Sequence, residues 1–433
     1  MIYILLLMLI TLFFLSYRLC NREILSPGFF CVMMYLFGTV ILFFKRNEWS
    51  VQIQVDTILI IFIFLFSILV GDLIVTAIAQ KRRLRCVAVD TIYLKFSRVL
   101  LTLMILVQLI TLLVYFRETI RIASAVGWSG NLLTLLQYAR IAKNVYGMYV
   151  SSIAQYLSYI CEAVNYACLF IFINNVYICK TKIKQEIYYL FPTFLYAGVA
   201  ILTTGRTLLL RIFMFLVVVF ILQQYKNSNG KHMKVSKTAN SILLIIVFAA
   251  IIFFKAGSFT GKSIDRNFTD YIAVYTSSGL AALNEYMKNP IRNTDTIWGG
   301  HTLFGMYTIL RKFIKSIPIL SSPLEMLKLP GGQTTNIYTP IRRYFQDFGY
   351  IGVIIIGALI GSIYKIAYNQ MKLTSDPFKI LLFGYMFFPL IEIAIEERIF
   401  LDLLTLKTAV VILAMCFLYF VCCKKGDREA EKV

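Results

Sequence analysis

The chain has 433 residues, of which 59% are hydrophobic and only 15% are charged, and its mean hydropathy is +0.76. So few charges cannot cover a soluble globule of this length, which excludes a soluble enzyme. The formal charge of +21 invites a nucleic-acid reading, but Lys and Arg are dispersed through short connectors between apolar runs, so no nucleic-acid partner is expected.

The apolar runs read as bilayer-spanning helices, because roughly 20 apolar residues cross a hydrocarbon core of about 30 Å and a helix satisfies its own backbone in lipid. In chain order they are Ile2–Ser16, Ile24–Phe44, Thr57–Ala79, Phe96–Phe116, Ile153–Ile173, Ile187–Leu202, Thr207–Leu222, Ala239–Phe254, Phe348–Tyr364, Phe378–Ile395 and Leu403–Val421. The expectation is an all-α polytopic integral membrane protein with about 11 transmembrane helices in a single transmembrane domain, 1–433. Ile2–Ser16 lacks a basic region before it and a small-residue cleavage site after it, and reads as a retained first span.

Alternate connectors carry the basic clusters: Arg18 and Arg22, then Lys81 to Arg85, Lys180 to Lys184, Lys226 to Lys237, Lys372 and Lys379, and Lys424 with Lys425. Placing these in the cytoplasm puts the N-terminus outside and the C-terminus inside. Two long hydrophilic stretches, 117–151 and 257–345, then fall on the outer face, the second inserted late in the chain. None of the nine cysteines lies in either stretch, so a disulfide framework is not expected there. There is no CxxC and there are only two histidines, His232 and His301, so no metal site and no cofactor is expected.

The late loop is too rich in aromatics, Ile and Leu to be disordered. Within it Leu310, Phe313, Ile314 and Ile317 share one helical face and Arg311, Lys312 and Lys315 the other. This fits a helix lying in the membrane interface or one packed on the protein. Two apparent motifs carry nothing. Ala256 to Ser263 satisfies a permissive P-loop pattern but follows a membrane helix on the outer face, and Asp347-Phe348-Gly349 lacks every other kinase element.

Thr203 to Thr207 interrupts an apolar stretch too long for one span, so it is a tight turn, facing outward by the alternation. A helix end beside Arg206 makes an anion site, with Arg211 one turn on. The turn could equally be a plain one with an interfacial Arg. A second cluster runs from Gly331 to Gly349. It is dense in hydroxyls, amides and aromatics, among them Asn336 and Tyr338, and then turns basic at Arg342 and Arg343 before entering a span. Such mixtures suit sugars, and Arg grips phosphate oxygens bidentately. Further polar groups near the outer surface are Asp265 and Arg266, His301, and Glu396-Glu397-Arg398. Asp72, Glu162 and Glu392 fall inside spans, where a charge is costly.

The Gly-Arg-Thr turn, the late outer loop, and the run from Thr335 through Arg342, Arg343 and Asp347 to Gly352 resemble the O-antigen polymerases, the oligosaccharide repeat-unit polymerases of bacterial surface polysaccharide pathways. The resemblance implies a fold similar to GT-C-type lipid-linked glycosyltransferases, in the bacterial inner membrane. It implies polymerisation of undecaprenyl pyrophosphate-linked oligosaccharide repeat units at the periplasmic face, with a chain-length regulator as partner beside the membrane lipids. Family arginines of the outer loops map onto Arg206, Arg342 and Arg343, with Arg211, Arg266, Tyr338, Asn336 and Asp347 around them. Diphosphate is a good leaving group, so charge stabilisation and a general base suffice. The candidate bases are Asp265, His301, Glu397 and Asp347, the last of which could instead anchor Arg343. The alternatives are an O-antigen ligase, which shares the late-loop layout, and a lipid-linked oligosaccharide flippase, whose short loops and even span count fit less well.

Overall fold

The computed structural model describes residues 1–81, 92–205, 207–227, 255, 267–291, 297–318 and 324–426. The helices in chain order are α1 (Ile2–Leu19), α2 (Pro27–Lys45), α3 (Val55–Lys81), α4 (Arg98–Ser124), α5 (Leu132–Val145), α6 (Ser152–Ile173), α7 (Ile183–Glu186), α8 (Phe191–Leu202), α9 (Thr207–Asn227), α10 (Phe268–Lys288), α11 (Phe304–Leu310), α12 (Ile341–Leu373), α13 (Pro377–Met386), α14 (Phe388–Ile391) and α15 (Leu406–Phe417). Four short strands form two antiparallel pairs, β1 (Tyr93–Lys95) with β4 (Lys424–Gly426) and β2 (Leu327–Lys328) with β3 (Thr334–Thr335).

Seven described helices, α1, α2, α3, α4, α6, α9 and α12, are long and apolar enough to cross a membrane. The protein is therefore polytopic. Of the other expected spans, Ala239–Phe254 lies outside the described residues, and three correspond to shorter apolar helices. The Ile187–Leu202 stretch begins as a 3-10 turn, and Pro192 opens a helix of 12 residues, α8. The expected turn follows it, since α8 ends at Leu202 and α9 opens at Thr207, with Thr204 at φ 59°.

Both long hydrophilic stretches are structured where described. The first contains the end of α4 and all of α5, joined by Ile122, Ala123, Leu135, Ala139 and Ala142. The second contains α10, α11 and the β2–β3 pair. The amphipathic helix expected through Leu310 and Ile317 does not form. Helix α11 stops at Leu310, and 311–317 consists of turns and bends, so the basic and apolar residues there are not two faces of one helix.

By their contacts the residues group into two compact units. The first holds 1–85, 269–373 and 386–408, and the second 86–268, 374–385 and 409–433.

In the first unit, α3 and α12 meet backbone to backbone. A Cβ at Gly71 would strike the Ala358 carbonyl, and one at Gly361 the Ile68 carbonyl. With Gly357 four residues before Gly361, α12 carries the small-residue spacing that lets membrane helices approach closely. Near the C-terminal end of α12 lies a buried ion network. Lys365 Nζ is 3.2 Å from Asp72 and 3.3 Å from Glu23, and Lys372 reaches Glu23 at 2.5 Å. Asp72 also accepts from Ser26 Oγ, the Gly28 amide and Thr76 Oγ1, so its oxygens are satisfied. Asp72 is thus a helix-to-helix contact. At the other end, Gly349 sits at φ 64°, ψ −159°, a conformation that glycine alone adopts readily, and splits Ile341–Phe348 from the span proper. From Tyr350 to Leu373 that span is roughly 36 Å long at 1.5 Å per residue, enough to cross a bilayer. Helix α10 is held by Asn284, whose Oδ1 accepts from the Gln54 amide (2.8 Å) and Thr57 Oγ1 (3.0 Å), and whose Nδ2 donates to the Gln52 carbonyl.

In the second unit, Ser97, Asn131 and Ser151 cap α4, α5 and α6 with their side-chain oxygens. Tyr115, Ala154 and Val199 pack α4, α6 and α8 together. Asn175 bonds both backbone groups of Leu94 and also donates to Glu186, which fixes β1. Glu162 accepts from Tyr385 (3.4 Å).

Substituting Lys365→Met leaves Asp72 buried beside no cation, and breaking such a pair costs about 3–5 kcal/mol. The apparent melting temperature in detergent should fall sharply, and Asp72→Asn added to Lys365→Met should recover much of the loss. A double variant as unstable as the single one would show that the network does not hold these helices.

Candidate functional site

The first two turns of α12, before the Gly349 kink, carry Arg342, Arg343, Gln346 and Asp347. Helical spacing sets Arg342 above Gln346 and Arg343 above Asp347, each pair four residues apart. Both guanidinium groups are 3% exposed.

Arg342 stacks on Tyr286 of α10, its Cζ 3.6 Å from the ring centroid. One Nη donates to Glu325 Oε1 at 2.9 Å and the other to Gln346 Oε1. Its Nε is buried and has no hydrogen-bond partner among the described residues. Glu325 also accepts from Tyr338 at 3.1 Å. Burial pushes the Glu325 carboxyl up, but the hydrogen bond from Arg342 and its charge outweigh this and hold it below the usual range. Glu325 itself is 56% exposed, so the partner of a buried arginine is a surface carboxylate.

His301 lies against the same two turns. Asp347 accepts the Thr302 amide at 2.6 Å and the His301 amide at 3.4 Å, while Arg343 donates to the His301 carbonyl at 3.1 Å. The peptide of His301 is therefore gripped on both sides by α12. Its Nε2 is 3.1 Å from Gln346 Nε2. Because Gln346 Oε1 is taken by Arg342, the amide nitrogen donates, and His301 Nε2 is the lone-pair nitrogen. Burial lowers the imidazole pKa below 6.5. The negative charge of Asp347 opposes this, and the nearby arginines reinforce it. Burial thus favours the neutral ring.

Glu397 lies one contact further in. Its Oε1 accepts from Tyr344 (3.1 Å), Ile399 (2.8 Å) and Phe400 (2.9 Å), and its Oε2 from Leu401 (2.9 Å). Burial pushes its carboxyl up on balance, against the downward pull of the amides and the tyrosine. A carboxylate so engaged organises the backbone of 399–401. Next to it, Arg398 is tied to Glu392, Glu396 and Asp402 at 2.7–3.0 Å.

The expected site residues thus divide. Tyr338, Arg342, Arg343, Asp347 and His301 come together. Asn336 is exposed on the segment leading in, which Thr335 pins to Ser278 of α10 at 3.0 Å. Asp347 anchors the backbone of 301 and 302. Arg211 is buried on α9 in the second unit, and Arg206, Asp265 and Arg266 lie outside the described residues. Three participants were not foreseen. Gln346 was legible as the residue four after Arg342, but Tyr286 and Glu325 carry no sequence signal, since only the fold brings them to Arg342.

The chain is 28% identical over 253 residues to a protein of Shigella dysenteriae named O-antigen polymerase, a match covering 57% of this chain. The chain resembles an O-antigen polymerase. The match spans 58% of that relative's length. No family model matches the chain, and no solved structure matches it.

Since His232 is the only other histidine, His301 can be followed by NMR in a His232→Gln background. Its imidazole should titrate below 6.5, and Asp347→Asn should lower the midpoint further by removing the charge that raises it. Because the folded state disfavours the protonated ring, this group favours folding above pH 6.5 and loses that contribution as pH falls. A midpoint above 6.5 would contradict the arrangement.

Proposed function

We propose that this protein polymerises undecaprenyl pyrophosphate-linked oligosaccharide repeat units into O-antigen or a similar surface polysaccharide, at the periplasmic face of the bacterial inner membrane. The observation that carries the reading is a pair of buried arginines joined through Gln346 and a backbone carbonyl to a neutral histidine. The named relative supports the reaction class. Seven apolar helices support the membrane setting.

In this reading Arg342 and Arg343 hold the diphosphate of the donor. Glu325 stands where a diphosphate oxygen would bind, and its exposure lets it swing out as substrate enters. Tyr338, Tyr286 and Asn336 border the glycan. His301 is the general base. The acceptor hydroxyl displaces Gln346 from Nε2 and gives its proton to that nitrogen. Its oxygen then bonds to the anomeric carbon as the bond to diphosphate breaks. The leaving charge forms against fixed guanidinium groups in a low-dielectric setting, where it is stabilised most. A chain-length regulator would act on the polymer so formed.

Membranes containing the protein and a lipid-linked repeat unit should yield a ladder of longer carrier-linked glycans. Translocation without elongation would point to a flippase instead, and transfer only to a lipid A-core acceptor to a ligase. Arg342→Lys and His301→Gln should each lower the rate by about 100-fold or more, the usual contribution of one such donor or base. Glu325→Gln should lower KM by freeing Arg342. Unchanged ladders from Arg342→Ala and Arg343→Ala would remove the diphosphate assignment.

A further inference from the structure

Beside α11, away from the contacts that seat His301, lies a cavity of about 530 Å³ lined by Arg311, Lys312 and Lys315 together with Phe304, Tyr307 and Thr308. No carboxylate lines it, and among the described residues none of the three cations forms an ion pair. Three positive charges within five residues, with no ion-pair partner among the described residues, repel one another, so the arrangement gains most from an anion between them. Arg311 follows directly on the last helical residue, Leu310, and the C-terminal carbonyls of α11 help hold cations there.

The residues next to these cations in the chain are large, apolar and exposed. Phe313 is 81% exposed, Ile314 50% and Leu310 41%, interleaved in sequence with the cations. Helix α11 is seated on 400–404, because a Cβ at Gly305 would strike the Phe400 carbonyl. Tyr307 donates to the Trp298 carbonyl at 2.7 Å, and Trp298 packs on Phe348 of α12 with ring centroids 4.9 Å apart. The patch is therefore fixed to the protein and not a loose loop. Large apolar side chains alternating with cations suit the boundary between acyl chains and headgroups, where both kinds of group are satisfied at once.

We propose that this cavity seats the phosphate headgroup of an anionic membrane lipid, gripped by Arg311, Lys312 and Lys315 while Leu310, Phe313 and Ile314 sit among its acyl chains. The ligand is a phosphodiester of the surrounding bilayer and is separate from the diphosphate of the glycan carrier. Its role is to dock the segment that follows His301 at the membrane surface.

The test uses the full-length protein in detergent, titrated with phosphatidylglycerol, phosphatidylcholine or undecaprenyl diphosphate and read by native mass spectrometry. The wild type should retain phosphatidylglycerol over phosphatidylcholine, and R311Q/K312Q/K315Q should lose that retention on the order of a hundredfold, several-fold for each cation. R311K/K312R/K315R, which keeps the charges, should retain it. K312Q and K315Q alone carry the test should the triple variant not fold, each with about a fivefold loss. Equal retention of the two phospholipids by the wild type, or no loss in any Gln variant, overturns the proposal. So does retention of undecaprenyl diphosphate alone through these three residues, which would give the cavity to the substrate.

Discussion

Everything in the first unit that bears on the site depends on how closely α3 and α12 approach. Gly71 and Gly361 each face a carbonyl of the other helix with no room for a side chain. In lipid there is little hydrophobic drive to bring helices together, so contact of this kind rests on dispersion between well-fitted backbones. The fit sets the axis of α12, and with it the direction of the short helix that Gly349 turns away from the span. Arg342 and Arg343 project from that short helix, so their position is inherited from a glycine contact about three turns down the span.

The two ends of α12 treat buried charge in opposite ways. Around Lys365 the charges are closed: Asp72, Glu23 and Ser26 surround the ammonium, and Asp72 has donors on both oxygens. A closed network in a low dielectric is rigid and serves structure. Around Arg342 the set is open. The guanidinium has a ring beneath it, an amide beside it and a half-exposed carboxylate in front, with one buried N–H still unpartnered among the described residues. An open set of this kind can exchange its carboxylate for another anion at little reorganisation of the protein. This is the difference between a strut and a binding group.

His301 illustrates how position makes chemistry from an ordinary residue. Nothing adjacent to it in sequence marks it, and the late loop that holds it was legible only as ordered and polar. Its role follows from three contacts with α12, two to its peptide and one to its ring, which together orient the imidazole, while burial favours its neutral form. Glu397 went the other way. A carboxylate near the outer edge invites a catalytic reading, yet four donors converge on it and tie it to the turn at 399–401.

The membrane character of the chain, most of its long spans, the turn before α9 and the pairing of Arg342 with Gln346 were all readable from residue order. Each depends on a run of similar residues or on a fixed helical period, and both are local properties. The amphipathic helix after Leu310 was misread for the same reason, since periodicity cannot report that the chain leaves the helix. The approach of Tyr286 and Glu325 to Arg342, the capture of His301 by Asp347 and the closed ion network required the folded chain. Those contacts join segments tens to hundreds of residues apart, and which of many compatible charges meet is decided by backbone packing that no local pattern encodes.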